Sequence, residues 1–188
     1  MATTKPIVIR RAQPGDARGI AEVHVAAWRE TYRGIVPDSY LDSLSVDERE
    51  ARWRRRDEPG NPSVAFVAVD GMGQVVGFGT GGPRRDGPEE YAGELNAIYL
   101  LRAVQGSGIG RRLVAAVARE LAARDMPSML LWVFRDNLPA RRFYEGLGGT
   151  LLTPQQFEIE GQAITEVSYG WLDTAALYTV DEDGGEKQ

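Results

Sequence analysis

The 188-residue sequence contains no cysteine. That removes disulfide frameworks, thiolate zinc sites and cysteine nucleophiles at once. It has one histidine, His24. Histidine-rich metal sites are therefore excluded, as is a Ser–His–Asp triad built on any other histidine, and no metal is expected. No stretch approaches the ~18 apolar residues of a membrane span. The first residues lack the apolar run of a signal peptide. A soluble, cytoplasmic protein without membrane contact is the expectation. Basic charge is in short supply, with 22 Lys and Arg against 27 Asp and Glu for a formal net charge of −5. Binding nucleic-acid phosphate needs a basic surface, so no nucleic-acid partner is expected.

What is present suits a globular domain: 43% hydrophobic and 26% charged residues, ordinary values for such a chain. A chain of this length can bury a core without staples. One domain over residues 1–173 is expected, followed by an acidic, polar tail over 174–188 expected to be disordered. Neither an internal repeat nor an interdomain linker is visible.

Local patterns give the order of elements. A short β-like run at 7–10 stops at Pro14-Gly-Asp16. Asp16 suits the N-cap of a helix whose Ile20, Val23, His24, Ala27 and Trp28 share one face. A brief helix fits 39–44, and Ser45-Val-Asp-Glu48 matches a capping box opening a helix through about residue 56. Runs 64–69 and 75–80, joined by Asp70-Gly-Met-Gly73, read as a hairpin. Residues 81–88 read as an exposed loop and 91–101 as a buried strand. A glycine turn at 105–110 opens a helix to about 124, with Ile109, Leu113, Val117 and Leu121 on one face. The apolar run 129–134 reads as a central strand. A helix from Asn137 stops at Gly148-Gly149, and two strands follow at about 150–159 and 163–171.

Gln105-Gly-Ser-Gly-Ile-Gly110 lies between a strand and a helix, and that context gives it meaning. Without Cβ atoms the backbone folds tightly and lets its N–H groups converge on an anion. The helix behind adds unsatisfied N–H groups and a positive dipole end. Arg111 and Arg112 follow at once, so a diphosphate is the natural guest. A Walker A loop needs a Lys after its glycines, and none follows. A dinucleotide fingerprint fails on spacing, because its third position would be Ile109 or Leu113. An ordinary left-handed turn between strand and helix is the plainer alternative.

The spacing Gln105-x-x-Gly108-x-Gly110 resembles the diphosphate loop of the GNAT N-acetyltransferases. Glu94-Leu-Asn-Ala-Ile-Tyr-Leu100 looks like the family's fourth strand. Leu131-Trp-Val-Phe-Arg-Asp-Asn137, Ala140-Arg-Arg-Phe-Tyr144 and Leu147-Gly148 look like its fifth strand and the helix after it. Many relatives carry a proline and an acidic residue before the loop, where this chain has Arg102-Ala103. The resemblance implies a mixed α/β fold, with a mostly antiparallel sheet of six to seven strands flanked by about four helices.

It also implies acetyl-CoA as cofactor, bound where the fourth and fifth strands part. Contacts would come from Ile98, Tyr99, Leu100, Gln105, Gly106, Ser107, Gly108, Ile109, Gly110, Arg111, Asn137 and Tyr144. Backbone groups of Ile98 and Leu100 would pair with the pantetheine arm, and the Leu100 N–H would stabilise the oxyanion. The implied reaction is direct attack of an amine on the thioester, and the lack of cysteine agrees with it. An alkyl ammonium near pKa ~10.4 must lose a proton, and a leaving thiolate near ~8.5 must gain one. Tyr144 is the candidate acid, projecting away from the Phe143/Leu147 stripe. Glu94 is the candidate base, directly or through water, with a solvated or ion-paired strand-end residue as its plainer reading. Asn137 suits a helix N-cap and, by resemblance, also a cofactor contact. Trp28, Glu30 and Tyr32 would shape the acceptor pocket, although spacing places Trp28 in the core. The partner is a small-molecule or peptide amine. Homodimerisation is a family habit that the sequence leaves undecided. A non-catalytic acyl-CoA-binding regulatory module is the alternative.

Overall fold

The computed structural model describes residues 6–56 and 60–179. Among these residues seven strands form one sheet: β1 (Val8–Arg11), β2 (Val64–Val69), β3 (Val75–Pro83), β4 (Gly93–Leu100), β5 (Met129–Phe134), β6 (Thr150–Ile159) and β7 (Gln162–Trp171). Their order is β1-β2-β3-β4-β5-β7-β6. Every neighbouring pair is antiparallel except β4 with β5. Among the described residues five α-helices accompany them: α1 (Ala17–Thr31), α2 (Asp38–Ser43), α3 (Val46–Arg56), α4 (Ile109–Ala122) and α5 (Leu138–Gly146). The resemblance implied about four, and the six-residue α2 lies where the local pattern suggested a brief helix at 39–44.

Helix α4 lies on one face of the sheet because its apolar stripe is continuous. Leu113, Val117 and Leu121 are each 0% exposed. Burying such side chains is worth roughly 1.5–3 kcal/mol apiece, whereas an exposed i,i+4 pair such as Glu120–Arg124 contributes about 0.3–0.5 kcal/mol. Packing, not surface charge, seats this helix. Phe143 and Tyr144 of α5, and Leu147 just after it, join the same cluster with Leu131, Val133 and Tyr169. Helix α1 covers the opposite face, where Ile20 and Val23 meet Val67 and Phe78.

Two expectations need correction. Residues 81–83 are strand, not exposed loop, and Gly81 and Gly82 are buried. A Cβ on Gly81 would sit 2.5 Å from Val117 and 2.9 Å from the Glu94 carbonyl oxygen. The glycine is there because α4 crosses the strand too closely for any side chain. The tail expected to be free from 174 stays packed to 179: Thr174 is buried, a 3-10 turn spans Ala175–Leu177, and Leu177 is 3% exposed in the main core. Its remainder, 180–188, lies outside the described residues. Asp16 precedes α1 as expected but does not cap it through its side chain. Its carboxylate instead pairs with Arg10 and accepts the Gln13 N–H.

His24 packs within an aromatic cluster, with ring centroids 5.7 Å from Trp28, 6.0 Å from Phe78 and 5.2 Å from Tyr99. Burial, aided by the charges of Arg49 and Arg52, lowers its pKa to about 3. The fold therefore refuses a proton that the unfolded chain accepts near pH ~6.5. Stability from this site is complete above that pH and drains away as pH falls toward 3. Between pH 7 and pH 5 the loss through this one residue is about 2 kcal/mol. His24→Phe keeps a ring in place, so it is expected to flatten the pH dependence of urea denaturation over this window. An unchanged slope refutes the assignment.

Candidate active site

The parallel pairing of β4 with β5 covers only Gly93–Met129, Glu94–Leu130 and Leu95–Leu131. Beyond it, β4 stays with β3 and β5 stays with β7, so the two central strands part. The cause is local. Leu95 opposes Gly81 and Ala97 opposes Thr80, which leaves Asn96 as an extra residue that bends β4. Beyond the bulge the ladder fixes which groups face the gap. The Leu101 N–H donates to the Val76 carbonyl. Alternation along an antiparallel pair then turns the main-chain groups of Ala97 and Tyr99 to β3, and those of Ile98 and Leu100 into the gap. The Leu100 carbonyl accepts from Gln105 Nε2 at 3.2 Å.

A cleft of about 900 Å³ fills this wedge. Its floor is the glycine turn. Gly106 and Gly108 have φ of +73° and +81°, and a Cβ at either would meet nothing within 4 Å. Conformation and an open cradle, rather than crowding, explain glycine here. Gly108 is the N-cap of α4, so first-turn N–H groups without intrahelical partners adjoin the cradle. Gln105, Gly106, Gly108, Gly110 and Arg111 line the cleft, as do Ile98, Tyr99 and Leu100. Ser107 and Ile109 do not. The Ser107 hydroxyl donates to the Val104 carbonyl at 2.5 Å, and Ile109 is 3% exposed in the core, anchoring the helix start. Arg102 and Arg142 also line the cleft, so with Arg111 three guanidinium groups border it on a chain of net charge −5.

The wall opposite the turn comes from α5. Asn137 lines the cleft and caps this helix, its Oδ1 accepting the Ala140 N–H at 3.3 Å. Tyr144 lines the cleft and is buried. Burial, then the charge of nearby Tyr99, pushes its phenol well above the ordinary value. On the α1 side, Glu30 is exposed at the rim and Tyr32 is buried, with its hydroxyl 3.4 Å from that of Tyr99. Burial raises the pKa of both tyrosines, so these phenols hold their protons. Trp28 stays out of the cleft and packs edge-on against Tyr32 at 4.8 Å and Phe134 at 6.1 Å.

Glu94 does not line the cleft. It is 1% exposed, and its carboxylate is held by Arg85. The Arg85 backbone N–H donates to Oε2 at 2.9 Å, Nε donates at 3.2 Å to both oxygens, and Nη2 donates to Oε1. A buried carboxylate stripped of its partner costs several kcal/mol, so Arg85 is required where the sequence showed only a charged loop. Sequence reasoning also missed Arg102, Arg142 and Phe143 as cleft residues. Arg102 occupies the place of the proline and acidic pair noted above, and that departure was the available signal.

Comparison with known proteins agrees with this geometry. Residues 20–148 match the model of the Acetyltransferase (GNAT) family. The chain belongs to the GNAT acetyltransferases. It is 41% identical over 174 residues to the uncharacterized N-acetyltransferase YuaI of Bacillus subtilis (strain 168), covering 93% of this chain and 98% of that protein. It is 34% identical over 148 residues to a mycothiol acetyltransferase of Nocardioides sp. (strain ATCC BAA-499 / JS614), covering 74% of this chain but 48% of that longer protein. Among solved structures, the PaiA N-acetyltransferase of Thermoplasma acidophilum in complex with coenzyme A superposes with a TM-score of 0.67 at 19% identity, covering 88% of this chain and 99% of that one. YncA of Salmonella typhimurium with its cofactor acetyl-CoA gives 0.67 at 22%, covering 90% and 95%. This GNAT enzyme is thus an acyl-CoA-dependent N-acetyltransferase. Among its described residues no helix is long and apolar enough to cross a membrane.

Proposed function

We propose that this enzyme moves the acetyl group of acetyl-CoA to a primary amine of a small molecule or peptide, by direct attack within a ternary complex. The observation that carries the reading is the wedge between β4 and β5, floored by an open glycine cradle at Gly106 and Gly108. Bound acetyl-CoA supplies an activated acetyl thioester. The cradle and the first turn of α4 suit its diphosphate, and Arg102, Arg111 and Arg142 supply the compensating charge. Ile98 and Leu100 offer main-chain groups along the wedge as an added strand would use them, with the Leu100 N–H as the donor for the thioester oxygen. The side chains of Ser107 and Ile109 shape the turn without lining the cleft.

Tyr144 keeps its proton through the working pH range, because burial raises its pKa. A phenol held above its ordinary pKa is a weak acid, so Tyr144 acts as a hydrogen-bond donor to the leaving thiolate as the C–S bond breaks. The acceptor enters from the side of Glu30 and Tyr32. Glu94 is buried off the cleft with both oxygens on Arg85, so the amine proton leaves to the solvent of the open cleft rather than to this carboxylate. The test is thiol release from acetyl-CoA across a panel of amines, with product mass measured. Release that scales with amine and yields an N-acetyl product is expected. Tight acetyl-CoA binding without release on any amine would mean a non-catalytic acyl-CoA-binding module instead.

A further inference from the structure

One carboxylate near the wedge is not absorbed by this mechanism. Glu166 lies on β7, directly opposite Phe134 at the end of β5 and opposite Gln155 on β6. Residues opposite each other in an antiparallel pair share a face. Glu166 is therefore on the α1 side of the sheet with Phe134, whose ring stands 4.7 Å from that of Tyr32. The glycine turn and Tyr144 belong to α4 and α5 on the other face. Glu166 is half-buried on the α1 side and is not among the residues that line the cleft, so an acceptor that reaches it extends past Tyr32 and Phe134.

Glu166 differs from Glu94 in its partners. Glu94 is held by a guanidinium through several bonds. Glu166 is half-buried, and its one side-chain hydrogen bond among the described residues comes from the neutral Gln155 Nε2 at 3.0 Å. An ionised carboxylate can accept about four such bonds, so its capacity is largely unused. The charged and titratable groups that face it are Arg85, Glu94, Tyr32 and Tyr99. Arg85 is already committed to Glu94, and that pair is close to neutral. Burial raises the pKa of Glu166, as expected for a carboxylate short of a cation. Its charge in turn raises Tyr32 and Tyr99, both of which line the cleft. A carboxylate beside aromatic faces is the chemistry that receives an ammonium group.

Resting on the amine-acceptor reading above, we propose that Glu166 anchors a second ammonium group of the acceptor, remote from the amine that attacks and on the side of Tyr32 and Phe134, and so selects amines that carry a further positive charge. The amine panel first identifies the best acceptor of the wild type, and Glu166→Gln and Glu166→Asp are then assayed on it. Glu166→Gln is expected to raise KM for the amine at least tenfold, with a far smaller change in kcat and unchanged acetyl-CoA affinity by calorimetry. Glu166→Asp keeps the charge and is expected to recover a large part of that loss. A purely structural role would move kcat, KM and cofactor affinity together, and that result overturns the inference. An active wild type whose KM is indifferent to Glu166→Gln overturns the inference and leaves the acetyl-transfer reading standing. A wild type that prefers amines without a further positive charge also overturns the inference alone. A wild type that acetylates no amine overturns both.

Discussion

Gly108→Glu is expected to weaken acetyl-CoA binding by at least 100-fold, measured by calorimetry. Gly108 sits at φ +81° with open space around it. A side chain there costs about 1–2 kcal/mol of backbone strain and then projects from the floor of the cleft. A carboxylate about 4 Å from a phosphate is repelled by roughly 4 kcal/mol at the effective dielectric of a protein surface. That alone is about a thousandfold in affinity. Gly108→Ala separates the two effects, because it bears the same strain without the charge. Its affinity is expected to fall far less, and both variants are expected to melt only a few degrees lower in a chain of this size. Acetyl-CoA binding within about threefold of wild type by the glutamate variant would remove the cradle from the account.

Tyr144→Phe is expected to lower kcat by about 100-fold while leaving acetyl-CoA affinity nearly unchanged. The ring contacts with Phe143 and Tyr169 survive the change, so the loss reports on the hydroxyl. Burial holds that hydroxyl protonated, so the same loss is expected at pH 7 and pH 9. Turnover equal to wild type would exclude Tyr144 from assisting the leaving group. A loss that vanishes at pH 9 would point to a phenol that has already ionised.

The elements around the cleft were largely legible in the sequence because their signals are local. The run 64–69 and the run 129–134 are strands at the expected bounds. The glycine turn and Asn137 begin α4 and α5 as their spacing suggested. The turn needs two positive φ angles within three residues, and few sequences other than a glycine series supply them. What escaped were relations between distant segments. Nothing within 81–88 announces that Arg85 must neutralise a buried Glu94, because the two meet only through the pairing of β3 with β4. Gly81 and Gly82 read as loop for the same reason, since the need for glycine at 81 comes from Val117 on a helix crossing overhead. Leu177 read as part of a polar tail, and only the assembled core shows the gap it fills. Glu166 carries no motif at all. Its position depends on the registers of β7 against both neighbours.

The gap between β4 and β5 also bears on how freely this protein can vary. Its lips are peptide groups, which every residue but proline supplies in full, so a ligand seated there reads the path of the chain and not its lettering. Ile98 and Leu100 are then at liberty to drift among residues of similar bulk, provided the bulge at Asn96 keeps the strands apart. Inheritance of the donor is tied to geometry, and diversification is left to the residues around Glu30, Tyr32 and Glu166.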